Sequence, residues 1–459
     1  MASAPTLPAD LLQWVAKTAG AEVIQHRRHS ARREAWVLTL RDAAGKEQQL
    51  FLRIDRALAA GKVSTRNLER ETRLIQALEQ HDIPAQKILG WNDTHCAALQ
   101  SWVPGTGHLQ GESAADQKAV MMEFMAIAAR MHRIDIDTLA LPGFEHPKTA
   151  LAHSLLEVEA VEEPAIFPVS ACLTSPLAAF GKRWLINHAP TDVQATVLVQ
   201  GDTGPGNFMS EGPRATAIVD WEWAHYGDPM EDLGNIWVRD FFNPSCSGDL
   251  TPYFEHYAQC SGFRLQYDSI AYYKVHQLVR SVIGLAYLTE QLDWTTAIPM
   301  NLGYRAIIDI ETCRAMAELS GRPLLDATPL PDEANGLSLH EATARQIERL
   351  VLPQLDDRFT AQLSQGHAAT LRYLALRERW QADFDQQELD DLRELLGSGI
   401  SNLGQGREAL IRHIHSLAIA DEGPVLDLLY RAAVNQARLM APLTKPWQQC
   451  RWAKFQPRT

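Results

Sequence analysis

The stretch VLVQGDTGPGNFM at 197–209, followed by AIVDWEWAHYGDPMEDL at 217–233, decides how this chain of 459 residues is read. Two apolar runs, TVLVQ at 196–200 and ATAIVD at 215–220, have the composition of strands and flank a glycine-rich turn. Two carboxylates and one amide therefore stand on tight turns at strand ends. Asp202 and Asn207 have the D-x-x-x-x-N spacing in which the Asp accepts a hydroxyl proton and the Asn oxygen binds Mg²⁺. Asp220 ends a strand thirteen residues after Asn207, where a carboxylate can hold the metal that bridges nucleotide phosphates. Gly204, Pro205 and Gly206 let the backbone reverse so that Asp202 and Asn207 face one pocket. These positions suit phosphoryl transfer, which needs mainly positioning and charge neutralisation. The alternative is an ordinary turn, since turns use Asp, Asn and Gly anyway; Asp220 and the GDPMEDL run weigh against it.

Around this stretch the chain is long enough to need more than one core, because a single core stops growing at roughly 250–300 residues. Hydrophobic residues make up 46% and charged residues 22%, and no apolar run approaches the ~20 residues of a membrane helix. The expectation is a soluble protein with no membrane partner. The start, MASAPTLPADLLQWVAK, has neither a basic opening nor an apolar signal core, so the cytoplasm is the expected location. Six scattered cysteines form no C-x-x-C pair and read as reduced packing residues.

The net charge of −13 argues against broad nucleic-acid binding, and its distribution along the chain says more than the total. Residues 1–104 hold 14 Lys and Arg against 11 Asp and Glu, residues 105–335 hold 14 against 30, and residues 336–459 are balanced at 15 each. A basic first segment beside an acidic second one suits a phosphate-binding lobe next to a metal-binding lobe; ordinary variation between solvated surfaces is the alternative.

In residues 1–104, AWVLTL at 35–40 and QQLFLRI at 48–54 form a hairpin through DAAGKEQ. A helix follows at roughly 66–80, then QKILGW, and then CAALQSWVPG at 96–105 as a strand entering a turn. From about 114 the pattern turns helical, with Val120, Met121, Phe124, Ile127, Ala128 and Met131 on one face. EVEAVEEPA at 157–165 reads as a solvated segment, and helices are expected across 268–291 and 305–319. The proline-rich 322–336 reads as a linker with a boundary near 335, followed by a helical third segment.

The run "QGDTGPGNFM…AIVDWEWAHYGDPMEDL" resembles the catalytic signature of the aminoglycoside phosphotransferase family. That group includes choline, homoserine and macrolide kinases and the kinase-like domains linked to acyl-CoA dehydrogenases. The resemblance covers roughly residues 15–325 and implies an α+β, bilobal protein-kinase-like fold. Its small β-rich N-lobe would be 1–104, its mainly helical C-lobe 105–330, and an all-α domain would occupy 337–459. It also implies ATP or GTP, with Mg²⁺, bound between the lobes. Carried over residue by residue, Asp202 is the base, Asn207 and Asp220 are the magnesium ligands, and Asp228 and Asp232 are structural or supporting groups; Gln200, Gly201 and Glu222 are expected to support the same loops.

Three departures stand out. Arg53 in LFLRID occupies the position of the family's usual strand lysine, with Glu71 in NLERETRLI resembling its helix partner. A guanidinium neutralises phosphate through a fixed fork rather than as a compact ammonium. The alternative for Arg53 and Glu71 is a surface ion pair worth ~0–1 kcal/mol. Gln200 stands where the family most often has histidine, which implies altered loop support rather than lost catalysis. The nucleotide loop HRRHSARREAW at 26–36 has no glycine; Arg27, Arg28, Arg32 and Arg33, with His29 and Ser30, either meet phosphates or form a solvated basic turn.

LQSWV at 99–103 matches the interlobe hinge, which places Gln100 and Trp102 by the nucleotide base, with core packing as the alternative for Trp102. His413 and His415 lie two apart on a helical pattern and point to different faces, so no metal site is assigned there, nor to His132 or His225.

Residues 337–459 resemble an uncharacterised helical family fused to, or encoded beside, such kinases. In one branch the pair phosphorylates 4-hydroxyacyl-CoA thioesters, and that is the acceptor the resemblance favours. An aminoglycoside, macrolide or small-alcohol kinase, and a degenerate nucleotide-binding module, stay open. So does a homodimer.

Overall fold

The computed structural model describes residues 6–30, 34–62, 64–163, 169–245, 248–290, 297–324 and 338–456. The chain divides into two compact units. One comprises residues 1–153, 192–270 and 451–459, the other 154–191 and 271–450. This division cuts across the lobe and domain boundaries drawn from the sequence. The boundary near 335, with most of the expected linker, lies outside the described residues.

The first unit opens with the helix Ala9–Ala19 and a five-stranded antiparallel sheet: β1 (Glu22–Ser30), β2 (Glu34–Arg41), β3 (Glu47–Ile54), β4 (Ile88–Asn92) and β5 (Ala97–Ser101), in the order β1-β2-β3-β5-β4. The expected hairpin is β2–β3, in register Trp36↔Leu52 and Leu38↔Leu50. Its turn is closed by Asp42, whose carboxylate accepts the N–H groups of Ala44 and Lys46, and by Gly45 at φ +81°. Alternate residues make one face apolar. Trp36, Leu38, Leu40, Leu50, Leu52, Ile54 and Leu99 pack against Leu7, Leu11 and Val15, each buried leucine contributing roughly 1.5–3 kcal/mol. The other face carries Phe51, Arg53 and Gln100.

The helix Leu68–Leu78, capped by Asn67 accepting the Arg70 N–H, buries Leu68, Leu74, Ile75 and Leu78. Downstream come the helix Ala114–His132 and four short strands, β6 (Val197–Val199), β7 (Phe208–Glu211), β8 (Arg214–Ile218) and β9 (His225–Gly227). The two strand-like runs of the decisive stretch do not pair with each other: β6 pairs with β9 and β7 with β8, all antiparallel.

Asp228 caps the helix Pro229–Phe242 by accepting the Met230 N–H, with Pro229 at the first position, where a missing N–H costs nothing. The segment Arg451–Gln456 straps this helix. Ala453 O accepts the Trp237 indole N–H at 2.8 Å, Trp452 stacks on Phe241, and Phe455 meets Trp237, Phe254 and Tyr267.

The second unit is helical, with Pro176–Asn187, Ile298–Leu319, Arg358–Leu396, Leu403–Ile414 and Glu422–Leu439 as its main elements. Ala306, Tyr373, Phe384, Leu439, Met440 and Leu443 form a core cluster. The expected solvated segment at 157–165 is instead partly interior. Residues 154, 157, 158 and 161 recur at helical spacing in the helix Ala150–Val161, so Glu157 is turned inward with Val158, its carboxylate 3.8 Å from Arg280. No described helix is long and apolar enough to cross a membrane.

Candidate functional site

Asp232 is fully buried on the helix Pro229–Phe242 and organises the loop that follows β6. Its Oδ2 accepts the Gln200 N–H at 3.0 Å and its Oδ1 the Gly201 N–H at 3.0 Å, while the Thr203 hydroxyl also donates to Oδ1. His132 Nε2 lies 3.0 Å from Oδ2, and its Nδ1 lies 2.6 Å from the Tyr257 hydroxyl. Burial alone would raise the Asp232 pKa, but His132, Thr203 and the backbone donor outweigh it and hold the carboxyl below its ordinary value. Gly201 has φ +78°, and a Cβ there would stand 2.2 Å from the Trp223 carbonyl oxygen, so only glycine fits.

Gln200 joins the loop after β6 to the turn at Asp220. Its Oε1 accepts the Asp202 N–H at 3.0 Å, and its Nε2 donates to the carbonyls of Val219 (3.1 Å) and Asp220 (2.7 Å). An amide offers donor and acceptor together, which is what tying one N–H and two carbonyls requires.

Asp202 and Asn207 are in direct contact: Asn207 Nδ2 donates to the Asp202 carbonyl and to Asp202 Oδ2, both at 2.8 Å. Asp220 is the residue after Val219, whose N–H bonds the Asn207 carbonyl at 2.9 Å. It has φ +63°, a strained conformation for a residue other than glycine, held by its neighbours on both sides.

On the sheet's second face Arg53 Nη1 meets Glu71 Oε1 at 2.5 Å. The pair is not a surface one, since the two side chains are only 13% and 2% exposed. Burial works against the Arg53 charge, yet the carboxylates of Glu71 and Asp220 hold its pKa above the ordinary value. Glu71 also accepts the Trp221 N–H at 3.2 Å, while Arg70 donates to the Ala224 carbonyl at 2.6 Å. Helix Leu68–Leu78 thus grips the turn after Asp220 with two consecutive side chains.

Gln100 is buried in β5 opposite Phe51. The Trp102 ring lies 6.2 Å from Phe51 and 6.1 Å from His29, so Trp102 belongs to an aromatic group that the sequence reading did not assemble. Ser30 ends β1 opposite Ala35. The proposed basic loop is mostly strand: Arg27 and Arg28 lie exposed in β1 opposite Val37 and Trp36, and Arg32 and Arg33 lie outside the described residues. Glu222 is half-buried just past Asp220. His225 is buried, with Nδ1 2.9 Å from the Trp223 carbonyl and Nε2 3.0 Å from Glu231.

One residue at the centre of the site was missed. Arg239 places Nη1 3.0 Å from Asp202 Oδ2, Nη2 3.0 Å from Asn207 Oδ1 and Nε 3.0 Å from the Pro205 carbonyl. The available signal was its position seven residues after Asp232, on the same face of one helix.

The residue types fit Mg²⁺: an amide oxygen at Asn207 and a carboxylate at Asp220 are the oxygen groups it takes when it completes its shell with phosphates and water. Among the described residues no group of three or more His, Cys, Asp or Glu forms an all-protein cage. The donor set fits a cation shared with a phosphate ligand.

The sequence profile described as "Phosphotransferase enzyme family" matches residues 27–269. Mouse acyl-CoA dehydrogenase family member 10 is 25% identical over 183 residues, covering 37% of this chain and 16% of that protein. Human acyl-CoA dehydrogenase family member 11 is 23% identical over 182 residues, covering 37% and 22%. Hygromycin-B 4-O-kinase of Escherichia coli is 37% identical over 60 residues, covering 13% and 17%. The match therefore spans about a fifth or less of the acyl-CoA dehydrogenase relatives. Among solved structures, macrolide 2′-phosphotransferase MphH from Brachybacterium faecium aligns over 70% of this chain and 100% of its own, at 19% identity and a TM-score of 0.44. Choline kinase LicA from Streptococcus pneumoniae aligns over 67% and 98%, at 14% identity and a TM-score of 0.44.

Proposed function

The chain belongs to the phosphotransferase enzyme family, and from that premise we propose that it moves the γ-phosphoryl group of ATP or GTP, with Mg²⁺, to a hydroxyl of a small molecule. A single observation carries the reading: Asp202 and Asn207 are bonded side chain to side chain at 2.8 Å, and Gln200 ties their loop to Asp220. These contacts, which join the Asp202–Asn207 loop to the Asp220 backbone, support reading Asp202 as the base and Asn207 and Asp220 as the cation ligands.

In this reading the Asp202 carboxylate accepts the acceptor hydroxyl's proton. The hydroxyl oxygen forms its bond to the γ-phosphorus as the bond from phosphorus to the β–γ bridging oxygen breaks, and the nucleoside diphosphate leaves. Mg²⁺ on Asn207 and Asp220 would neutralise charge on the β- and γ-phosphates. Gln200, Gly201 and Asp232 keep the base in place, and Arg53 with Glu71 holds the turn that presents Asp220. Phe51, Gln100 and Trp102 are the proposed neighbours of the nucleotide's purine ring.

The favoured acceptor is a 4-hydroxyacyl-CoA thioester, supported by similarity to two acyl-CoA dehydrogenase family members. The short match to hygromycin-B 4-O-kinase favours an aminoglycoside acceptor as the second reading. The helical residues after 337 are proposed to serve as an accessory part. The test is nucleotide consumption with Mg²⁺ against 4-hydroxyacyl-CoA thioesters, their free acids, choline, homoserine, kanamycin, hygromycin B and erythromycin, with Asp202→Ala as control. Turnover on a thioester, lost in the variant, supports the favoured acceptor. Turnover on an antibiotic alone moves the chain to the second reading, and nucleotide binding without turnover leaves a binding module.

A further inference from the structure

The guanidinium of Arg239 lies between the two side chains assigned to proton acceptance and metal binding, and its three contacts differ in kind. It meets a carboxylate oxygen of Asp202, the amide oxygen of Asn207 and the carbonyl of Pro205, each at 3.0 Å. A planar fork can hold three acceptors in fixed directions, which a lysine ammonium on a flexible stem cannot.

The Asn207 amide shows what the fork achieves. Its Nδ2 end is committed to the Asp202 carbonyl and carboxylate, both at 2.8 Å. Its Oδ1 end must then be the one that faces Arg239, because a guanidinium offers only donors. Asp202 and Arg239 together therefore decide which end of the amide faces which way. Were the amide reversed, N–H would face N–H at Arg239 and oxygen would face oxygen at Asp202.

The loop is shaped around this residue. A Cβ at Gly204 would stand 2.7 Å from Arg239 Cβ, and one at Gly206 would stand 2.6 Å from Arg239 Nη2. Both glycines also have positive φ, +137° and +93°. The turn reverses tightly enough for the arginine stem to lie against its backbone, and Asp232 on the same helix grips the loop's other end.

We propose that Arg239 is a positioning residue for phosphoryl transfer: it orients the Asn207 amide so that Oδ1 serves as a cation ligand, and it holds that amide in register with Asp202. An amide oxygen has two lone pairs, so one can stay with Arg239 while the other takes a cation. This inference rests on the phosphotransferase reading above and adds to it a residue that acts through Asn207.

The experiment follows Mn²⁺ binding by electron paramagnetic resonance in the presence of AMP-PNP, using the full chain, with kcat measured in parallel on whichever acceptor turns over. The proteins are wild type, Arg239→Met, Asn207→Ala and the double variant. Arg239→Met is expected to weaken Mn²⁺ binding about tenfold and to lower kcat by about 10- to 100-fold, as for residues that orient metal ligands. In the Asn207→Ala background the same substitution is expected to change Mn²⁺ binding by less than about twofold, because the two act on one contact. Wild-type Mn²⁺ affinity in Arg239→Met, or fully additive losses in the double variant, overturns the inference and leaves the transferase reading standing. Absence of Mn²⁺-dependent AMP-PNP binding by the wild-type chain overturns the transferase reading itself. If Arg239→Met does not fold, Arg239→Lys in the same cycle serves instead, with an intermediate loss expected and wild-type behaviour again overturning the proposal.

Discussion

Glu71 Oε1 is shared: it accepts Arg53 Nη1 at 2.5 Å and the backbone N–H of Trp221 at 3.2 Å. One buried carboxylate oxygen thus joins strand β3, the helix Leu68–Leu78 and the turn that begins at Asp220. Glu71→Ala would leave Arg53 buried without its main partner and the turn unanchored. The expected loss is about 3 kcal/mol, typical of removing one member of a buried pair, read by urea denaturation. A loss below about 1 kcal/mol would mean the pair behaves as an exposed one.

Asp202→Ala is predicted to lower phosphoryl transfer at least about 10³-fold, within the range for a lost general base, while nucleotide affinity stays nearly intact. Asp220→Ala is predicted to remove magnesium-dependent nucleotide binding as well. Turnover assays and calorimetric titration with AMP-PNP separate the two, and retained turnover in either variant contradicts its assignment.

Gln200→Leu leaves the Asp202 N–H and the carbonyls of Val219 and Asp220 without the contacts that now satisfy them. An unsatisfied buried polar group costs about 1–3 kcal/mol, so stability and kcat should both fall. Gln200→His, which keeps a ring donor and acceptor, should recover part of each. Equal damage from both substitutions would show that the amide's shape matters more than its hydrogen bonds.

Asp309 gives a pH signature in the second unit. Burial pushes its carboxyl up from 3.8 to about 6 despite Arg305, 3.5 Å away. A raised carboxyl favours the folded state while protonated, so its contribution is full below about pH 4 and is lost as pH rises through about 6. Asp309→Asn should therefore raise the melting temperature at pH 7.5 and give no gain at pH 4. Thermal melts at the two pH values decide it, and a gain that does not vary with pH rules out titration as the cause.

Phe455 lies against Trp237, Phe254 and Tyr267, beneath the helix that carries Asp232 and Arg239. Phe455→Ala should cost about 3 kcal/mol as a large-to-small core change and should speed hydrogen exchange in residues 229–242. Unchanged exchange there would show that the strap does not support the helix.

Much of the fold was legible because its signals are local. The two-residue alternation from Trp36 to Leu40 and from Leu50 to Ile54 marks a strand pair with one apolar face, and the structure pairs them as β2 and β3. The helices Leu68–Leu78 and Ala114–His132 followed from apolar spacing, and Asn67 and Ser113 cap them. Glu157 was misread because a charged residue in an acidic run looks solvated; the periodicity of 154, 157, 158 and 161 was the better guide.

By itself the sequence determined the strand pair, the main helices and the placing of Asp202, Asn207 and Asp220 on turns, because chain direction, side-chain alternation and glycine act over a few residues. Tertiary structure alone decided that Arg239 reaches back 37 positions to Asp202, that His132 spans 100 positions to Asp232, and that Ala453 receives the Trp237 indole N–H from 216 positions away. These contacts depend on which groups lose water together. A charge or hydrogen bond worth little in solvent becomes decisive once burial removes its alternatives, and burial belongs to the folded chain as a whole.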